Sequence, residues 1–179
     1  MGKMKVRKLI ILIFWLIFSI PVAAERLLDP MPVTMVAQDF SLPSVSGDLQ
    51  TLKQLKGSYV LVNFWSADCL ICVAELSVLQ DLYEQLQSDY NFEIVAVHAG
   101  PKQQEVGDLL KTNPVTYHVV MDNDLKMGHW GIPQLPTSYI VTPDGNFAYR
   151  AVGTRLWNSP HMVDFLREVM NGKESSTLQ

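Results

Sequence analysis

"YVLVNFWSADCLICVAELSVLQ", residues 59–80, changes its rhythm halfway along. Tyr59 to Trp65 is an unbroken β-branched and aromatic run, the pattern of a strand covered on both faces. From Cys69 onward the apolar positions step by three and four. Leu70, Val73, Leu76, Leu79, Leu82 and Leu86 predict an amphipathic helix reaching about Ser88. Both cysteines of the chain, Cys69 and Cys72, fall where strand gives way to helix. A bridge across two residues closes too small a loop to remove much unfolded-chain entropy, so the pair suits making and breaking better than stapling. The attacking species in disulfide exchange is a thiolate, and an ordinary thiol near pKa 8.5 supplies little of it at neutral pH. Cys69, among the unpaired N–H groups at the helix start, is therefore the expected nucleophile. Cys72, one turn deeper, is the expected resolving thiol.

The flanking sequence supplies the rest of an α/β domain. "FEIVAVHA" (92–99) reads as a second buried strand, residues 102–113 as a weaker helix stopped by Pro114, and "HVVMD" (118–122) as a third strand. "TSYIVTP" and "FAYRAVG" flank Asp144-Gly145, a hairpin signal, and Ser159-Pro160 opens a last helix ending near Asn171-Gly172. Upstream, residues 38–57 suggest a short hairpin around Ser46-Gly47-Asp48. Residues 25–36, with two prolines, read as a linker or extended arm, and 173–179 as a frayed tail. The expected domain, 37–172, is a mixed central sheet with helices on both faces. Its cysteine pair lies at the C-terminal end of a central strand, where open α/β sheets place their chemistry.

Residues 1–24 stand apart. Lys3, Lys5, Arg7 and Lys8 precede an apolar run from Leu9 to Phe18, and small residues follow. That is the composition of a secretory signal, with Val22 and Ala24 placed for a cut after Ala24. Uncleaved, the same stretch is a little short of the ~20 residues that span a bilayer, yet it would serve as an anchor with its basic residues at the headgroups. In both readings the basic end stays in the cytoplasm and the remainder is exported. Residues 25–179 then hold ten basic and eighteen acidic side chains, a net −8. Such a surface excludes nucleic acid as a partner.

"FSLPSVSGDLQTLKQLKGSYVLVNFWSADCLICVAEL" and "WGIPQLPTSYIVTPDG" (130–145) resemble the thioredoxin superfamily, and within it the TlpA/ResA/DsbE group of exported thiol-disulfide oxidoreductases. The resemblance covers roughly 37–170 and implies a thioredoxin-like fold with an N-terminal β-hairpin. It implies protein thiol and disulfide substrates, and a membrane thiol-disulfide carrier as electron donor. The implied location is the bacterial periplasm or the extracytoplasmic face of the inner membrane, with reduction of disulfides, as in cytochrome c maturation, the expected direction. No cofactor and no metal is implied. Trp65 matches the aromatic beside the active site, and Pro136 matches the proline held in cis facing the sulfurs, with Leu135 before it; the resemblance implies that these three residues bind substrate. A cis X-Pro bond there would leave a neighbouring edge on which a substrate chain can pair. Pro133 competes for that role, but "LPTSYI" enters a strand as the motif requires. Glu75, one turn beyond Cys72, matches the group's acidic residue and would accept the proton of the resolving thiol. Asn63 stands where thioredoxin has a buried aspartate, and it cannot titrate.

Two positions depart from the group: Asp68 stands where tryptophan is usual, and Ile71 replaces a frequent proline. A carboxylate ~6 Å from the Cys69 sulfur, at an effective dielectric of ~20, would oppose the thiolate by up to ~3 kcal/mol, about two pK units. Asp68 thus tunes Cys69 toward the thiol and the couple toward reduction; alternatively it caps the helix. His98, His118, His129 and His161 show no shared ligand spacing and read as structural or surface residues, and Trp130 as a packing aromatic. A thioredoxin-like copper-delivery protein would bind copper(I) through soft thiolates with a histidine. A peroxidase would consume peroxide, and a degenerate binding module would keep its role after Cys69→Ser.

Overall fold

The computed structural model describes residues 26–32 and 34–172; the signal or anchor expected over 1–24 and the tail expected over 173–179 lie outside them. Among the described residues there are eight strands: β1 (Asp29–Pro30), β2 (Ser41–Pro43), β3 (Leu49–Thr51), β4 (Tyr59–Trp65), β5 (Phe92–Ala99), β6 (His118–Asp122), β7 (Thr137–Val141) and β8 (Phe147–Val152). Three α-helices accompany them among the described residues: α1 (Leu70–Leu86), α2 (Gln103–Thr112) and α3 (Pro160–Met170). β2 and β3 form the expected hairpin, and the other six strands make one sheet in the order β1-β8-β7-β4-β5-β6. β4, β5 and β6 run parallel, β7 pairs antiparallel with β4, and β8 pairs antiparallel with β7. The sheet is mixed because the β7–β8 turn is tight: Gly145 takes φ 89°, a conformation that favours glycine.

Alternate residues of each strand build two cores. Leu61, Trp65, Ile94 and Met121 face one cluster with Leu76, Leu79, Leu82, Val106 and Leu166 of the three helices. Val62, Phe64, Val95 and Val120 face the other, with Phe40, Leu42, Leu52, Trp130, Tyr139 and Phe147. The helices expected on both faces are thus unevenly shared. β4→β5 and β5→β6 advance in one direction across the sheet, so two right-handed crossovers put α1 and α2 on one side. The second face is covered by the hairpin and by 3-10 segments at Lys53–Leu55 and Lys126–Trp130. Trp130 packs edge-on against Phe64, Tyr139 and Phe147, as a core aromatic does.

Of the linker or extended arm expected over 25–36, residues 27–31 lie against the sheet as an arm. Asp29 and Pro30 pair with Arg150 and Tyr149, Leu28 is buried, and the Arg155 Nε–H donates to the Leu27 carbonyl at 3.1 Å. An edge position explains why Pro30 is tolerated in a strand. No helix among the described residues is long and apolar enough to cross a membrane.

Candidate active site

Parallel pairing of β4 with β5 brings their C-terminal ends side by side, Trp65 opposite His98. The loops leaving the two strands therefore converge at one edge of the molecule. Cys69 is the N-cap of α1, with extended φ −96° and ψ 98°, and its sulfur accepts the Cys72 N–H at 3.3 Å. Cys69 and Cys72 are joined as a disulfide, with Cα atoms 5.2 Å apart. Cys72 is 1% exposed while Cys69 is half-buried. Leu70 and Ile71, between them, are 84% and 58% exposed, an apolar collar with no cation in it.

Asp68 does not cap the helix; Cys69 does. The Asp68 carboxylate turns instead to the Lys102 ammonium, 2.6 Å away, and Lys102 also reaches Glu105 at 3.2 Å. The two residues are 34 apart in sequence and meet only because the loops after β4 and β5 are neighbours. The bare like charge expected beside Cys69 is therefore partly offset, and at this exposed position water weakens both effects.

Glu75 is buried beneath the pair, 4% exposed. Its Oε1 accepts the Arg155 backbone N–H at 2.8 Å and the Trp157 Nε1–H at 3.0 Å, and its Oε2 accepts the Asn63 amide at 3.2 Å. The same Asn63 amide donates to Ser138 Oγ at 2.9 Å. Burial pushes the Glu75 carboxyl above the usual carboxylate range, and the three donors hold back part of that rise. A groove of about 300 Å³ between Ile71, Ala74 and Val78 of α1 and Thr154–Leu156 reaches Glu75 from the surface. Nothing in the spacing of Arg155 and Trp157 announced them; only the loop from β8 to α3 brings them to α1.

Trp65, expected on the substrate side, is wholly buried in the cluster that holds Cys72 and supports the site from beneath. Its ring meets the His98 imidazole edge-on at 5.1 Å, and its Nε1–H has no hydrogen-bond partner among the described residues. His98, read as structural, lies directly under the loop that leads to Cys69. The Leu135–Pro136 peptide is cis, and the Pro133 bond is not. Phe64 pairs with Thr137, so one step further along the ladder Pro136 comes beside Trp65 at the sulfur-bearing edge. Pro136 is buried with its carbonyl taken by the Gly153 N–H at 2.8 Å, and Leu135 is half-buried between the two cores.

Comparison with known proteins agrees with this arrangement. The AhpC/TSA family matches residues 33–150. The thiol-disulfide oxidoreductase ResA of Bacillus subtilis is 29% identical over 140 residues, 78% of this chain and 76% of its own. The thioredoxin-like protein YneN of the same organism is 31% identical over 123 residues, 66% of this chain and 70% of its own. Among solved structures, StoA of Bacillus subtilis superposes with TM-score 0.59 at 25% identity, over 76% of this chain and 98% of that one. A thioredoxin-family thiol:disulfide interchange protein of Chlorobium tepidum gives TM-score 0.64 at 24% identity, over 76% and 97%. A helix-capping Cys-x-x-Cys on a thioredoxin-like sheet, with the family matched across residues 33–150, settles the affiliation: the chain belongs to the AhpC/TSA family, among its thiol-disulfide oxidoreductases.

Proposed function

We propose that this oxidoreductase is exported and reduces disulfides of protein substrates, with Cys69 attacking and Cys72 resolving. The observation that carries the reading is the asymmetry of the pair: one sulfur at the surface on a helix start, the other sealed below it. In the reduced protein the Cys69 thiolate attacks one sulfur of the substrate disulfide, and the substrate's other sulfur leaves as a thiolate. Cys72 then loses its proton, attacks the Cys69 sulfur and forms the 69–72 disulfide, releasing the second substrate thiolate. Two protons complete the substrate thiols, and two electrons have passed to the substrate. Glu75 is the proton acceptor for Cys72, since its buried carboxylate lies one turn along the same helix.

Leu70, Ile71 and Leu156, exposed around the sulfurs and the groove, favour a polypeptide over a small thiol as substrate. The edge beside Pro136 is where an extended substrate segment would lie. The basic and apolar N-terminal 24 residues support an extracytoplasmic location. A dithiol carrier in the membrane is then the fitting electron donor.

The reducing direction is supported by a collar without a cation and by Asp68 beside the nucleophile. Equilibration with glutathione or dithiothreitol buffers tests it, with a potential near thioredoxin's ~−270 mV expected and one above about −180 mV overturning it. Asp68→Asn is expected to raise the potential by about 15 mV, a half-unit change in thiol acidity at a wet site. Lys102→Gln is expected to lower it, because the partner that offsets Asp68 is then gone.

A further inference from the structure

His98 is the one histidine with no solvent exposure, 0%, and both of its ring nitrogens are engaged. Nε2 lies 3.1 Å from the Ala67 N–H, and Nδ1 lies 3.1 Å from the Gly100 carbonyl oxygen. A backbone N–H only donates and a carbonyl only accepts, so the partners dictate a neutral ring with its proton on Nδ1. The Ala67 N–H is thus tied to β5, two residues before Cys69. The Ser66 side chain adds a second tie one residue on, its Oγ accepting the Asp68 N–H at 3.3 Å. Trp65 packs edge-on against the same imidazole.

We propose that His98 is a positioning residue for the nucleophile: its neutral ring pins the 66–68 loop that delivers Cys69, and a second ring proton releases that loop. This deepens the reading of Cys69 as the attacking sulfur and rests on it. Once Nε2 carries a proton it faces the Ala67 N–H donor to donor, and a buried cation has replaced a hydrogen bond. Burial lowers the His98 pKa from the ordinary histidine range, the Gly100 bond works against that shift, and Lys102 adds to it while Asp68 and Glu105 oppose it. Those three charges lie on the loop after β4 and at the start of α2. The strand neighbours at His98's own level, Trp65 on β4 and Met121 on β6, carry no charge. The folded state therefore binds fewer protons here than the unfolded chain between the lowered value and 6.5. Stability from this contact is present above that window and is lost as pH falls through it.

Two readouts separate this inference from the enzymatic reading. In the oxidised protein no thiol titrates, and the Ala67 amide resonance, followed from pH 7.5 to 4.5 and compared between the wild type and His98→Gln, reports the contact. It is expected to move with a midpoint below 6.5, and to stay still in His98→Gln, whose side-chain oxygen replaces Nε2 as acceptor without titrating. In the reduced protein, turnover of a fluorogenic peptide disulfide is compared between pH 7 and pH 5. The wild type is expected to lose several-fold more of its rate than His98→Gln does. His98→Leu, with no acceptor, is expected to be roughly tenfold slow at both pH values. An Ala67 resonance that does not titrate overturns the proposal, as does equal pH loss in the wild type and His98→Gln. Should His98→Leu fail to fold, the wild type and His98→Gln still decide; should no variant turn over, the amide titration alone decides the role of His98.

Discussion

Cys72→Ala leaves a protein that still attacks disulfides but cannot let go. Its turnover is expected to fall by roughly three orders of magnitude, because the buried sulfur that would displace the substrate is gone. One equivalent of substrate should remain bonded to Cys69, stable to denaturant and released by dithiothreitol. Non-reducing electrophoresis and intact mass of the adduct check this, and the same variant identifies natural partners. Cys69→Ser should trap nothing, since Cys72, 1% exposed, cannot be reached by a folded polypeptide. Adducts on Cys72 in Cys69→Ser would reverse the two roles.

The second large effect is expected at Glu75. Leucine there strands three donors, the buried Trp157 Nε1–H and Asn63 amide and the part-buried Arg155 N–H. At about 1–3 kcal/mol for each unsatisfied group, softened by relaxation, a loss of about 4 kcal/mol is expected. Thermal unfolding should show it as a fall in Tm of roughly 10 °C for a chain of this size. Glu75→Gln keeps most of the packing and should cost about 1 kcal/mol, yet it removes the proton acceptor and so slows release of the mixed disulfide. The pH dependence separates charge from shape. The folded pKa of Glu75 is raised, so the native state binds more protons than the unfolded chain between 4.5 and the raised value. Stability from this group is therefore full below 4.5 and is lost as pH climbs through that window. Denaturant titrations across mildly acidic pH should show this decline as a difference, the stability of the wild type falling relative to that of Glu75→Gln as pH climbs.

Much of this was legible in residues 59–80, because a covered strand and an amphipathic helix have different periods and the cysteines mark where one becomes the other. The hairpin turns and the α3 cap were legible for local reasons too: Asp144-Gly145 supplies the positive φ, and Ser159 Oγ accepts the Met162 N–H at 3.3 Å. The environment of the sulfurs was less so. Asp68 invited a reading as a bare charge or a cap because its partner Lys102 follows a different strand. His98 looked like one of four scattered histidines until the parallel register set it under Ala67. Trp65 looked like a substrate platform, but its alternation with Leu61 and Asn63 points it into the helix-covered core. Contacts made across the sheet leave no periodic trace, and at Asp68, His98 and Trp65 sequence spacing stopped being informative.

The segments that precede β4 deal with both rims of the six-stranded sheet. β1 lies along β8, and Ser44 of the hairpin bridges Val120 of the opposite outermost strand, β6. A chain begun at Tyr59 would keep its sulfurs but present two bare rows of amides and carbonyls, and would be expected to self-associate through them. With the flanks shielded in this way, the neighbourhood of the cysteines is left as the site for a visiting strand.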